Sequence, residues 1–170
     1  NPKIPSIYNN LGVAYKHLGD KAKALKNYHA AINLDQKNYD AFYNLSLVLL
    51  SNNNFKNGWR NYEYRLLKKD SPLRYIKFKK PIWNKNLGYK RILLWGEQGI
   101  GEQIIFSSMI KDAINDFDEV TILINTKLLK IFSDSFPNAK VIDTNGQLSE
   151  DMFDYHFPLC SLGLIYRQEL

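Results

Sequence analysis

An offset of 34 residues lays the first part of this chain over itself, aligning Tyr8 with Phe42, Leu11 with Leu45 and Tyr28 with Tyr62. Smaller positions follow the same offset: Gly12 meets Ser46, Tyr15 meets Leu49, Ala24 meets Gly58 and Ile32 meets Leu66. Large and small side chains therefore recur where two antiparallel helices must interlock. Within residues 6–19, Tyr8, Leu11, Tyr15 and Leu18 keep the spacing of one helix face. Gly19-Asp20 breaks that helix, and residues 22–34 supply a second, with Ala24, Leu25, Tyr28, Ala31 and Ile32 directed inward. The same pattern predicts a second hairpin with helices over 39–51 and 55–67.

These spacings resemble the tetratricopeptide repeat, with repeat one over 5–38 and repeat two over 39–68, both inside a helical domain at 1–68. Asp35-Gln36 stands where that family has an Asp-Pro or Asn-Pro turn, and Asn1-Pro2 lies 34 residues earlier. The tail of an upstream repeat is thus expected. Two repeats fall below the roughly three that bury a continuous stacked core, so the repeats are expected to lean on the following domain or on another copy of the chain.

In the family the first helix of each hairpin lines a concave, peptide-binding face. Here that places Asn9, Asn10, Val13, Lys16 and His17 from repeat one, and Tyr43, Asn44, Leu47 and Leu50 from repeat two, on that face. Asn10 and Asn44 share a repeat position, and an amide side chain both donates to and accepts from an extended backbone. They resemble the asparagine ladder of the O-GlcNAc transferase superhelix; the alternative reading is two polar residues facing water. The carboxylate clamp of chaperone-binding repeats needs Lys where Asn9 and Val13 stand, which argues against chaperone-tail binding. His17 and His29 have no partners at metal-ligand spacing, and a structural role is expected for each.

Composition narrows the class further. With 45% hydrophobic and 14% aromatic residues the chain can fill a core, which excludes a largely disordered protein. Its longest apolar runs, such as 45–50, fall far short of the roughly 20 residues that span a bilayer, and residues 1–11 lack signal-peptide character. A cytoplasmic protein without a membrane span is expected. Cys160 is the single cysteine, so no intramolecular disulfide or thiolate zinc site can form. The formal charge of +6 is concentrated in residues 68–91, where nine basic residues face the single acid Asp70. That basic linker, 69–90, reads as a solvated connection, with contact to an anionic ligand as the alternative. It carries no recognition motif for nucleic acid, which is not expected as a partner.

From residue 91 the period changes. Residues 91–95 read as a buried strand ending in the turn Gly96-Glu97-Gln98-Gly99-Ile100-Gly101. A helix is predicted over 102–115, with Ile105, Met109, Ile110 and Ile114 on one face. Then follow a strand over 119–125, a helix over 127–136, a strand over 139–143, a fourth strand over 154–159 and the opening of a helix over 161–167. This order predicts a mainly parallel, Rossmann-like α/β domain over 91–170. The glycine turn is where chemistry would sit, at the carboxyl edge of such a sheet. It is not a Walker loop, because no Gly-Lys-Ser/Thr follows, and its G-x-x-G-x-G order reverses the dinucleotide fingerprint. A purely structural turn remains the alternative.

A second resemblance covers nearly the whole chain. Gly58-Trp59, the stretch Tyr62-Glu63-Tyr64-Arg65, Pro81-Ile82-Trp83, the run from Arg91 through Gly-Glu-Gln-Gly-Ile-Gly to Phe106, and Asp154-Tyr155-His156-Phe157-Pro158-Leu159 are similar to a bacterial family. It joins tetratricopeptide repeats to a heptosyltransferase-like domain of the two-lobed GT-B architecture, akin to glycosyltransferase family 9. The resemblance implies an acceptor-side lobe, a glycan acceptor and, for the full-length protein, a nucleotide-sugar donor whose lobe lies outside this chain; no cofactor is implied here. The family carries Asp after Gly-x-Gly, and the related heptosyltransferases use the Asp of their Gly-Asp as the base that deprotonates the acceptor hydroxyl. Glu102 stands at that position on a stem one methylene longer. Catalytic base and helix cap are both open to it. Gly96, Glu97, Gln98, Gly99 and Gly101 would shape the substrate site, with His156 near the same sheet edge. The alternative function is a non-catalytic protein-binding module whose α/β domain is a scaffold.

Overall fold

A computed structural model describes residues 3–71 and 78–169. Asn1-Pro2, read above as the close of a preceding repeat, lies outside them, as do Arg74 and Lys77 of the basic segment. The chain divides into two compact units, Asn1–Arg74 with Arg167–Leu170, and Tyr75–Tyr166.

The first unit is two helical hairpins: α1 (Pro5–His17), α2 (Lys21–Leu34), α3 (Tyr39–Ser51) and α4 (Phe55–Tyr62). Local chemistry sets their ends. Pro5 opens α1, where its missing N–H costs nothing. Asp20 and Asn38 cap α2 and α3 by accepting from the Lys23 and Ala41 N–H groups. Gly19 takes a positive φ of 78° that lets the chain reverse between α1 and α2. Ala24, Tyr28, Leu45 and Val48 form the core, with Val13, Tyr15, Leu25, Ile32 and Leu49 against it. The helices approach closely at Gly12, where an added methyl would stand 2.5 Å from Tyr28 Cε1. Among the described residues the buried Tyr28 hydroxyl finds no hydrogen-bond partner, and burial pushes its pKa up.

Two expectations for this unit change. Leu11 is 42% exposed and Leu18 is 78% exposed, although both belong to the single apolar face predicted for α1. Leu45, the repeat counterpart of Leu11, is 3% exposed because α2 packs on that side of α3. The second change is at the end of repeat two, where α4 tightens into a 3-10 turn over Glu63–Leu67. The tightening sends Arg65 inward beside Leu66. Its guanidinium lies 4.5 Å from the Tyr62 ring centroid and 2.7 Å from Glu63 Oε1.

The second unit is built on β1 (Arg91–Trp95), β2 (Glu119–Ile124), β3 (Lys140–Asp143) and β4 (Tyr155–Pro158), paired in parallel in the order β3-β2-β1-β4. β1 and β2 are rich in Ile and Leu; Ile92, Leu93, Leu94, Ile122 and Ile124 are buried, as a parallel sheet requires. Sequence order reverses between β1 and β4, which makes their carboxyl ends the switch point of the sheet. At the amino edge Arg91 clamps the same two strands through Asp154, with Nη2 2.9 Å from Oδ1 and Nε donating to Oδ2 at 3.2 Å. The Arg91 hydrogen bond holds the Asp154 carboxyl below its ordinary range.

The segment read as linker is partly inside this unit. The Trp83 N–H donates to the His156 carbonyl at 2.9 Å, and the His156 N–H to Pro81 at 3.1 Å, which adds a short bridge beside β4. The Trp83 ring is buried against Phe117 and Phe157, and its indole N–H donates to the Gly88 carbonyl.

The helix expected over 102–115 is instead α5 (Ile100–Phe106), a 3-10 turn (Ser107–Met109) and α6 (Ile110–Asp116). Ser107 and Ser108 bond back to the carbonyls of Ile104 and Ile105, a competing pattern that loosens the helix. The phase shifts with it: Gln103 and Phe106 turn inward, and Ile105, expected on the buried face, is 69% exposed. Two further helices follow as expected in place, α7 (Leu129–Ser135) and α8 (Leu162–Tyr166).

Candidate functional site

The glycine turn at 96–102 sits at the carboxyl end of β1, beside the switch point. Gly96 extends the ladder by donating to the Leu123 carbonyl at 2.8 Å. A methyl there would stand 2.5 Å from Gln103 Cδ, so glycine lets the Gln103 amide lie against the turn. Gln103 is buried and bonded at both ends of its amide. Its Oε1 accepts from the Asn125 N–H at 3.0 Å and its Nε2 donates to the Gln98 carbonyl at 2.8 Å. One side chain thus joins the turn after β1 to the turn after β2. Sequence reading did not single out Gln103; the signal was its place after the second Gly-Glu in the run Gly-Glu-Gln-Gly-Ile-Gly-Glu-Gln.

Glu97 points inward, with Oε2 accepting from the Cys160 N–H at 3.4 Å. Its carboxylate crosses the switch point from β1 to the chain leaving β4, where a bound anion would otherwise meet backbone N–H groups. Gln98 is half-buried and contributes its carbonyl to Gln103. Gly99 and Gly101 are exposed, and the methyl position at Gly101 is open space. Glu102, exposed in the first turn of α5, folds back until Oε2 lies 3.0 Å from where a Gly99 methyl would be. That is the third helical position, from which a Glu serves the free N–H groups of the helix start. The carboxylate is open to solvent in the same pose.

His156 lies elsewhere. It pairs in register with Leu93, two residues back from the carboxyl end of β1, and is 5% exposed. Its Nδ1 accepts from the Trp95 indole N–H at 3.1 Å, and Phe78 packs on its ring. Burial lowers its pKa, partly offset by a hydrogen bond to the Lys80 backbone. The structure therefore brings Gly96 to Glu102 together but keeps His156 inside the sheet.

On the first helices of the repeats, Asn44 Nδ2 donates to Asn9 Oδ1 at 3.0 Å. Asn10 is exposed beside them, and Tyr43, one residue before Asn44, is half-buried. Lys68 Nζ lies 5.1 Å from the Tyr43 ring centroid and 3.1 Å from Asp40 Oδ1. In the sequence Lys68 stands at the border of the linker, with no sign that it returns to α3. Val13, Lys16, Leu47 and Leu50 are half-buried, and His17 is exposed. Near the hairpin ends a cleft of about 780 Å³ is lined by Lys37, Lys68 and Lys69 together with Asp35, Asp40 and Asp70. Its charges offset one another.

Among the described residues no group of His, Cys, Asp and Glu could hold a metal ion, and no helix is long and apolar enough to cross a membrane.

Comparison with known proteins bears on the repeats directly. The tetratricopeptide repeat pattern matches residues 5–38. Protein FlbA of Caulobacter vibrioides is 24% identical over 147 residues, which are 82% of this chain and 25% of that protein. The chain spans about a quarter of the length of this relative. Residues 5–38 form a tetratricopeptide repeat, followed by a second helical hairpin and an α/β unit with a four-stranded parallel sheet.

Proposed function

We propose that this chain is a protein-binding module whose repeats hold an extended peptide along α1 and α3. The observation that carries this reading is the Asn9–Asn44 pair. After its single bond, the pair keeps amide N–H groups on Asn9 and a carbonyl oxygen on Asn44, the complement of a peptide backbone. Tyr43 beside it offers an aromatic face with a cation, Lys68, already above it. The test is selection of displayed random peptides on the full chain, followed by competition with the Asn9→Ala and Asn44→Ala proteins. Selected peptides should compete at this face; binders indifferent to both substitutions count against it.

A second reading concerns the α/β unit, as the Rossmann-like acceptor lobe of a GT-B glycosyltransferase. Two features support it: the switch point between β1 and β4, and the open turn carrying Glu102 above Gly99. In this reading Glu102 takes the proton of an acceptor hydroxyl as its oxygen attacks the anomeric carbon and the nucleoside phosphate leaves. Gly96, Glu97, Gln98, Gly99 and Gly101 shape the acceptor site, and His156 holds the sheet beneath it. The donor nucleotide sugar would bind elsewhere in the whole protein. Glu102→Gln in that protein should lower sugar transfer by ~10²-fold or more with donor binding intact. Unchanged transfer removes Glu102 as base.

A further inference from the structure

Two Asn-Gly steps occur in the chain, Asn57-Gly58 and Asn145-Gly146. Such a step is chemically special because glycine has no Cβ to shield its own backbone nitrogen from the asparagine side chain. When that nitrogen reaches Cγ of the preceding asparagine, it closes a five-membered imide ring. What holds the peptide unit between the two residues decides whether it can, and the two steps are held in opposite ways.

Asn57-Gly58 is locked inside α4. Gly58 is buried, and its N–H donates to the Asn54 carbonyl at 2.8 Å. The Asn57 carbonyl accepts from Asn61 Nδ2 at 2.7 Å, and a methyl on Gly58 would stand 2.6 Å from Leu50 Cδ2 of α3. Turning that peptide toward the Asn57 side chain would break the helix where it packs on α3.

Asn145-Gly146 lies in the turn after β3, and both residues are exposed. The Asn145 N–H donates to Asp143 Oδ1 at 3.0 Å and the Gly146 N–H to the Asp143 carbonyl at 2.9 Å. The side-chain amide reaches across to the turn after β2, Nδ2 donating to Thr126 Oγ1 at 3.1 Å. Thr126 is exposed as well. Bonds of an exposed turn open locally at far lower cost than those of a packed helix.

We infer that Asn145 is a site of spontaneous deamidation, with the Gly146 nitrogen as nucleophile and water as the co-reactant. The bond from that nitrogen to Cγ forms as the bond from Cγ to Nδ2 breaks. The proton of the Gly146 N–H passes through water to Nδ2, which leaves as ammonia. Water then opens the imide at Cγ, giving aspartate, or at the main-chain carbonyl, giving isoaspartate with the chain running through Cγ. Either product loses the Nδ2 donor to Thr126 and sets a carboxylate beside that of Asp143, and isoaspartate also adds a methylene to the backbone of the turn. The turns after β2 and β3 thereby lose a tie, and the carboxyl edge of the sheet gains a negative charge. The chemistry needs neither a bound peptide nor a sugar.

The test ages the full chain in mildly alkaline buffer made with oxygen-labelled water and maps the digest by mass spectrometry, isoaspartate being resolved by its chromatographic shift. The segment holding Asn145 should take up label at least about tenfold faster than the segment holding Asn57. In urea the two rates should converge, because both steps are then unrestrained. Asn145→Gln should abolish isoaspartate formation in that segment, since the longer side chain would have to close a six-membered ring. No conversion at Asn145 in the folded chain, or equal rates at the two sites there, overturns the proposal.

Discussion

Asn44 donates its side-chain N–H to Asn9 Oδ1 at 3.0 Å, tying α3 to α1 on the face read as the peptide groove. The two residues are 35 apart, one more than the repeat. Removing either amide should lower the stability of the repeats by about 0.5–1.5 kcal/mol, the worth of one net hydrogen bond. In urea denaturation the double substitution to Ala should cost less than the two single ones together. Strict additivity would mean that the bond does not form in solution.

Gly12 and Tyr28 set the approach of α1 to α2. A methyl on residue 12 meets the Tyr28 ring at 2.5 Å, and a ring packed in a core cannot yield as a flexible chain end can. Gly12→Ala should destabilise by ~1–3 kcal/mol. Tyr28→Phe, by contrast, deletes a buried hydroxyl with no partner among the described residues, and should leave stability equal or raise it by up to about 1 kcal/mol. A large loss with Phe would show that the hydroxyl is hydrogen-bonded.

Gln103 and Glu102 are neighbours with opposite expected roles. Gln103→Leu strands the Asn125 N–H and the Gln98 carbonyl, and should cost about 2 kcal/mol or more of the α/β unit's stability. Glu102→Gln, at an exposed position, should stay within about 0.5 kcal/mol. Tryptophan-detected denaturation separates the two, since Trp83 and Trp95 are both buried in this unit.

Two acid-sensitive steps follow from the charged groups of the sheet. Burial holds His156 below its ordinary pKa, so the unfolded chain binds the proton first as pH falls. The stability is complete above about pH 6.5, the unfolded value, and declines below it toward the folded one. His156→Gln should flatten this step. Asp154 is also lowered, by Arg91, and its contribution is complete above about pH 4 and lost as pH falls further. Asp154→Asn should remove that lower step alone. A stability profile between pH 7 and 5 that is the same with and without His156 would contradict the first assignment.

The repeats were legible because interlocking helices demand large and small residues at fixed spacing, and Tyr8, Gly12, Ala24 and Tyr28 return as Phe42, Ser46, Gly58 and Tyr62. Strand positions were legible for a similar reason, since buried parallel strands are short apolar runs between turns. What the pattern missed depends on neighbours rather than on period. Leu11 and Leu45 occupy one repeat position but differ in burial, because only α3 has a second helix packed on that side. Ile105 fits an uninterrupted helix and lost its buried place when Ser107 and Ser108 bonded back to the preceding turn. At the candidate sites, Asn10 shares a repeat position with Asn44, yet Asn9 makes the bond, because a hydrogen bond selects the spatial neighbour. His156 follows the resemblance in sequence, but mid-strand residues of a covered sheet face its interior.

Whether the asparagine pair reads a peptide backbone is measured most directly by the affinity of a peptide selected on the full chain for the Asn44→Ala protein. Affinity should fall by about tenfold, the loss of one or two hydrogen bonds in a groove. N-methylation of one backbone N–H of the peptide should cost the native protein as much and the Asn44→Ala protein little more. Equal affinity for the native and Asn44→Ala proteins, with no N-methyl position that matters, would contradict it.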